Sequence, residues 1–258
     1  MTDLDLPRQK EGSRRYPRAP IVEAVLDLGV SLPDGTSLER LAEVGANDAE
    51  YPIHEDLRDF TGTFNVDPAG VSTHASQEIV GHVWRTPDGA RQYQARLGAF
   101  RYLQRAPYRD WTGFLGEAER LWTSYKSVTS PIELTRVGAR FVNRIDIPLP
   151  SVELTEYLLT TAEVPPELPQ LISGYFMQMQ LPQVREGVQC NVISTLLAPA
   201  SPATTSLMLD IDVRCAPHLK LSEDAFERSL QRWLAEIRQA KNDVFEACIT
   251  DKTRRLFL

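Results

Sequence analysis

Residues 134–148 read LTRVGARFVNRIDIP. Counted by twos, Val137, Ala139, Phe141, Asn143, Ile145 and Ile147 fall on one side, and Gly138, Arg140, Val142, Arg144 and Asp146 on the other. Alternation sustained this long predicts a strand with one buried face. The arginines and aspartate of the second face pose the functional question. They form either a site or the wet side of a sheet.

Upstream, APIVEAVLDLGV (19–30) alternates in the same way, with Val22, Ala24, Leu26, Leu28 and Val30 against Glu23 and Asp27. LPDG (32–35) has turn chemistry, and a short helix is expected from about Thr36. Residues 48–77 are acidic and irregular, with no long element expected. Strands follow near 79–85 and 90–97, joined by the turn TPDG (86–89), and a third at 99–104. The spacing then predicts a helix over 110–126, with Asp110 as its N-cap and Trp111, Phe114, Ala118, Leu121, Trp122 and Tyr125 as its apolar stripe.

Downstream of 133–147 the same order returns. A short helix is expected at 151–159, a linker at 164–170 (VPPELPQ), and strands near 171–181, 188–198 and 204–214. A closing helix runs from about Ser222 to Cys248, and a last turn occupies 250–257. Short stretches also align, Leu26-Asp27-Leu28 with Ile145-Asp146-Ile147 and RAPY (105–108) with CAPH (215–218). The expected fold is α+β, a pseudo-duplication of two similar β-α-βββ-α halves, with antiparallel sheets and helices packed on one face. The halves span 16–128 and 129–258 within one globular unit, behind a mobile tail at 1–15.

A chain of 258 residues with 42% hydrophobic and 24% charged residues has the balance of a soluble globular protein. Its net charge of −7 argues against general nucleic-acid or membrane coating. No apolar run approaches the roughly 20 residues of a membrane helix. The opening MTDLDLPRQKEGSRR lacks an apolar signal core, so a cytoplasmic location is expected. Cys190, Cys215 and Cys248 form no CxxC pair and read as reduced and structural.

In SLMLDIDVRC (206–215), Asp210 and Asp212 share a face, roughly 7 Å apart. They suit a metal or an acid–base pair, or a ladder of ion pairs with Arg140 and Arg144. The acids Glu23 and Asp27 are further partners if the two opening strands approach. His54, His74, His82 and His218 show no metal-binding spacing, and no nucleophile elbow, Walker loop or dinucleotide turn is present. No metal or cofactor is expected.

Residues 79–109 set Arg85, Arg91, Arg96, Arg101, Arg105 and Arg109 against Asp88 alone, with Trp84, Tyr93, Phe100 and Tyr102 interleaved. Such a sheet can stack bases and neutralise phosphates, with Arg85, Arg91, Arg96, Arg101, Tyr93 and Tyr102 as contacts. It also suits a protein partner, or the acidic segment 35–71 of the same chain, and pairing of this kind is the preferred expectation.

YPRAPIVEAVLDL (16–28), RVGARFVNRIDIP (136–148), LMLDIDV (207–213) and FEACITDKTRRLF (245–257) together resemble a sporadically distributed bacterial family of about 250-residue proteins with no assigned biochemical function. The resemblance brings no catalytic residues. The family's patchy distribution suggests toxin–antitoxin or phage-defence accessories. The leading expectation is a non-enzymatic protein acting through a partner protein. Nucleic-acid or nucleotide binding at 79–109 and metal-dependent hydrolysis by Asp210 and Asp212 are the alternatives.

Overall fold

Strand β1 (Ile21–Ser31) lies antiparallel to β6 (Glu133–Ile147), with Asp27 opposite Gly138 and Val25 opposite Arg140. The computed structural model describes residues 14–67, 70–162, 164–170 and 172–258. The tail read at 1–15 lies outside the described residues except for its last two.

The β1–β6 pair is the middle of a ten-stranded antiparallel sheet. On the β1 side follow β5 (Ala99–Arg105), β4 (Arg91–Arg96), β3 (Gly70–Arg85) and β2 (Ile53–Asp67). On the β6 side follow β9 (Thr205–Cys215), β8 (Val188–Leu197) and β7 (Phe176–Arg185). A two-residue strand, β10 (Leu219–Lys220), pairs with the start of β6. Where β3 first meets β4 the chains are too close for a side chain. A Cβ on Gly81 would stand 2.2 Å from the Ala95 carbonyl oxygen.

The helices cover one face. They are α1 (Leu38–Ala42), α2 (Trp111–Thr129), α3 (Phe226–Cys248) and α4 (Asp251–Arg255). Asp110 starts α2 by accepting from the Gly113 amide at 2.8 Å, a cap worth about 1 kcal/mol. The stripe Trp111, Phe114, Ala118, Leu121, Trp122 and Tyr125 is buried against the sheet, Phe114 meeting Tyr102 and Phe141. From α3, Leu230, Leu234 and Ile237 bury in the same core. Asn143, polar within the buried row of β6, donates to the Leu209 and Phe141 carbonyls. Its burial therefore leaves no amide hydrogen-bond donor group stranded.

Four expectations need correction. Residues 53–67 and 70–85 are two long paired strands where no long element was expected. The reason is visible at Ile53–Phe60, where every side chain but Leu57 is exposed, so no buried face imposes alternation. The expected helix at 151–159 is a 3-10 turn at Leu154–Glu156, followed by a single bridge from Leu158 to Ile249. The strand expected from 171 begins at Phe176, after Pro- and Gly-containing chain, and β10 was not foreseen. The closing helix starts at Phe226, later than the Ser222 expected. Among the described residues no helix is long and apolar enough to cross a membrane.

Candidate functional site

The opposite face of the sheet carries no helix among the described residues, and its central strands present arginines and carboxylates in cross-strand rows. The alternation that buries Leu26, Leu28, Phe141 and Ile211 necessarily turns Glu23, Asp27, Arg136, Arg140, Arg144, Asp210, Asp212 and Arg214 to this side.

Most of these charges are committed to one another. Asp27 accepts from Arg101 on β5 at 3.1 Å and from Arg136 on β6 at 2.8 Å, so one carboxylate ties three strands. Asp210, 2% exposed, is held by both Nε and Nη2 of Arg140, the shortest contact being 2.6 Å. These bonds raise the Arg140 pKa against the opposing effect of burial. Arg144 turns to Asp146 and Ser206, each at 3.0 Å. Glu23 lies 3.7 Å from Arg105. Between the pairs Val25 and Leu103 are buried although no helix covers them. The arginine stems that flank them on this face supply such cover.

The register places Arg140 opposite Asp212, yet its guanidinium reaches diagonally to Asp210. Asp212 is thereby left without a hydrogen bond or ion pair among the described residues, and so is its neighbour Arg214, which is exposed. Burial raises the Asp212 carboxyl above the ordinary aspartate range. Arg214 and Arg140 oppose that shift, and Asp210 and Asp27 add to it.

The sign of this shift makes a prediction. A carboxyl whose pKa rises on folding stabilises the fold while protonated, and that contribution is lost as pH climbs through the folded value. At neutral pH the charged Asp212 is therefore a burden. Asp212→Asn is expected to raise the urea midpoint at pH 7, with the gap to the parent closing by about pH 3. A variant no more stable than the parent at pH 7 would contradict the shift.

The arginines and aromatics of 79–109 interleave in sequence but divide between the two faces. Arg85, Arg96 and Arg101 lie on the uncovered side, whereas Arg91 shares the helix side with Tyr93 and lines a cavity there with Tyr102 and Arg109. Tyr93 and Tyr102 are 1% and 0% exposed and point toward the helices, where Trp84 stacks on Tyr93. Arg85 pairs with Glu55, Arg96 with Asp59 at 3.2 Å, and Arg101 with Asp27. Arg91 pairs with Glu50 at 2.7 Å and lies 5.6 Å from the Tyr51 ring centre. The acidic segment thus supplies Glu50, which precedes the edge strand, and Glu55 and Asp59, which lie on that strand, whose presence the sequence did not reveal.

One contributor to this face was missed, and so was one contact on the helix-covered side. Arg136 belongs to the charged row of β6 and could have been found by extending the count by one step. His54 and His82 stand 28 residues apart yet meet with their nitrogens 3.1 Å apart, through the pairing of β2 with β3. His82 Nε2 donates to the Leu38 carbonyl at 2.9 Å, and its Nδ1 faces both His54 and, at 3.6 Å, the Asp56 carboxylate. Burial, with His82 adding, lowers the His54 pKa. Among the described residues no group of three His, Cys, Asp or Glu side chains is arranged to hold a metal ion. The three cysteines are free and buried, and burial pushes the Cys190 and Cys215 thiols up to about 12.

Comparison with models of known protein families gives no match, and none of the curated proteins compared with the chain matches it.

Proposed function

We propose that this protein is a non-enzymatic binding protein that engages a partner protein across the uncovered face of its sheet. The observation that carries this reading is the pair Asp212 and Arg214. In a face whose other charges are mostly held in hydrogen-bonded pairs, Asp212 and Arg214 make no hydrogen bond or ion pair among the described residues, and Arg214 offsets the desolvation of Asp212 only through space. A partner presenting a cation and a carboxylate at that spacing would relieve the desolvation of Asp212 and give Arg214 a planar acceptor.

Nucleic-acid binding at 79–109 is the less supported reading. Neutralising phosphates there would first require Arg85, Arg91, Arg96 and Arg101 to leave their carboxylates. Metal-dependent hydrolysis by Asp210 and Asp212 meets a similar obstacle, since Arg140 already occupies both oxygens of Asp210.

The face also fits descent by duplication. Outward from the middle, one side runs β1-β5-β4-β3-β2 and the other β6-β9-β8-β7, with β10 also paired to β6. In each the first strand of its half is innermost and β5 or β9 comes next; a long helix follows β5 directly, and in the second half it follows β9 after the two-residue β10. The proposed setting, toxin control or phage defence, rests on the family resemblance of the four stretches quoted above.

Immobilised protein is expected to retain from a bacterial lysate a protein that Arg214→Glu binds about tenfold less well or worse. Arg232→Glu, on the exposed side of α3, should leave retention unchanged. Equal retention by Arg214→Glu, or release by nuclease, would count against the reading. So would nucleic-acid turnover with divalent metals that Asp210→Asn abolishes.

A further inference from the structure

The two edges of the sheet are built differently. The outer strand β2 carries Glu55, Asp56, Arg58 and Asp59 within its first residues, all exposed. Charges on an edge strand block its pairing with another strand, because joining would bury or crowd them. At the other edge, β7 begins FMQMQLP (176–182), without a charged residue. Phe176 is 66% exposed, and Gln178 and Gln180 are exposed. Apart from its pairing with β8, no hydrogen bond among the described residues reaches the main chain of 176–185. The far end of the strand is fixed, since Arg185 bonds Glu236 at 2.8 Å and Asp243 at 3.1 Å on α3. An uncharged rail is therefore presented over Phe176–Leu181, ending at Pro182 and at a register shift before Arg185.

We propose that β7 is a self-association edge, and that its occupant is β7 of a second copy of this chain. Antiparallel pairing of a strand with itself is closed by a two-fold axis, so it yields a dimer and not a fibre. Residues directly opposite in an antiparallel pair point to the same side. A two-fold that keeps both helix layers on one side thus sets Met177, Met179 and Leu181 of each copy against the same row of the other. The amides of Gln178 and Gln180 likewise meet amides on the uncovered side. Apolar meets apolar and amide meets amide, with no charge to oppose the approach. Phe176, exposed in the single chain, gains a neighbour from the second copy. The product is one sheet of twice the width, whose uncovered faces lie side by side and present two copies of the Asp212–Arg214 site.

Sedimentation equilibrium over a concentration series tests this with the full chain. The parent protein is expected to show a monomer–dimer equilibrium. Gln178→Lys/Gln180→Lys sets like charges across the axis and is expected to sediment as a monomer, with an unchanged circular dichroism spectrum because both positions are exposed. Gln178→Glu/Gln180→Glu should also be monomeric, and an equal mixture of the two variants should recover the dimer mass. A parent that is monomeric throughout the series would overturn the proposal. So would a dimer that both double variants retain, since it must use another surface. The outcome is independent of Arg214, whose substitution leaves the β7 edge intact.

Discussion

Phe141→Ala is expected to lower stability by about 4 kcal/mol, read as a fall in urea midpoint at unchanged slope. Phe141 is 0% exposed and stands where β6 meets both long helices. Its ring lies 5.8 Å from Tyr108, 6.2 Å from Trp111 and 6.2 Å from Phe114. The Lys241 ammonium of α3 sits 4.3 Å from the ring centre. Lys241 has no ion pair among the described residues, and burial, with Arg238 adding, lowers its pKa to about 8. Removing the ring therefore opens a cavity between layers and takes away the π face that offsets part of the cost of burying a cation. Phe141→Leu keeps most of the volume and should cost no more than about 1.5 kcal/mol. An alanine variant within about 1 kcal/mol of the parent would place the packing centre elsewhere.

The neighbouring residue on the other face gives the second large effect. Arg140→Ala is expected to cost about 3 kcal/mol, because it strands the Asp210 carboxylate, whose side chain is 3% exposed. The figure lies at the low end for a broken buried pair because Arg140 itself is 46% exposed. The loss belongs to the widowed charge more than to the pair. Arg140→Met/Asp210→Leu is accordingly expected to recover most of it. If the double variant were as unstable as Arg140→Ala, the pair itself would be the stabilising element. If Arg140→Ala were neutral, water would be solvating Asp210 in place of the guanidinium.

These two residues also show how far the sequence could be read. Alternation alone assigned Phe141 to a buried face and Arg140 to an exposed one, because a strand has no other way to place neighbours. The same logic found β1, β4, β5, β8, β9 and both long helices, each of which buries one face and leaves an imprint of period. It failed at β2, whose described side chains are nearly all exposed, and at 151–159, where a turn and one bridge replace a helix. Arg140 with Asp210 was among the pairings weighed from sequence, but which of two aspartates Arg140 would take could not be read there. Nor could Arg101, grouped with a binding surface, be seen as a partner of Asp27.

By itself, then, the sequence determined the α+β class, the faces of the central strands and the residue types that meet the uncovered side. Those follow from local periodicity, which acts within a few residues. The tertiary structure alone decided that β1 and β6 adjoin, that Asp27 joins three strands, and that Asp212 and Arg214 make no hydrogen bond or ion pair among the described residues. It also decided that one sheet edge is guarded by charge and the other is open. Each of these depends on which strands become neighbours and in what register, and that is settled by the summed burial of the whole core rather than by any one segment.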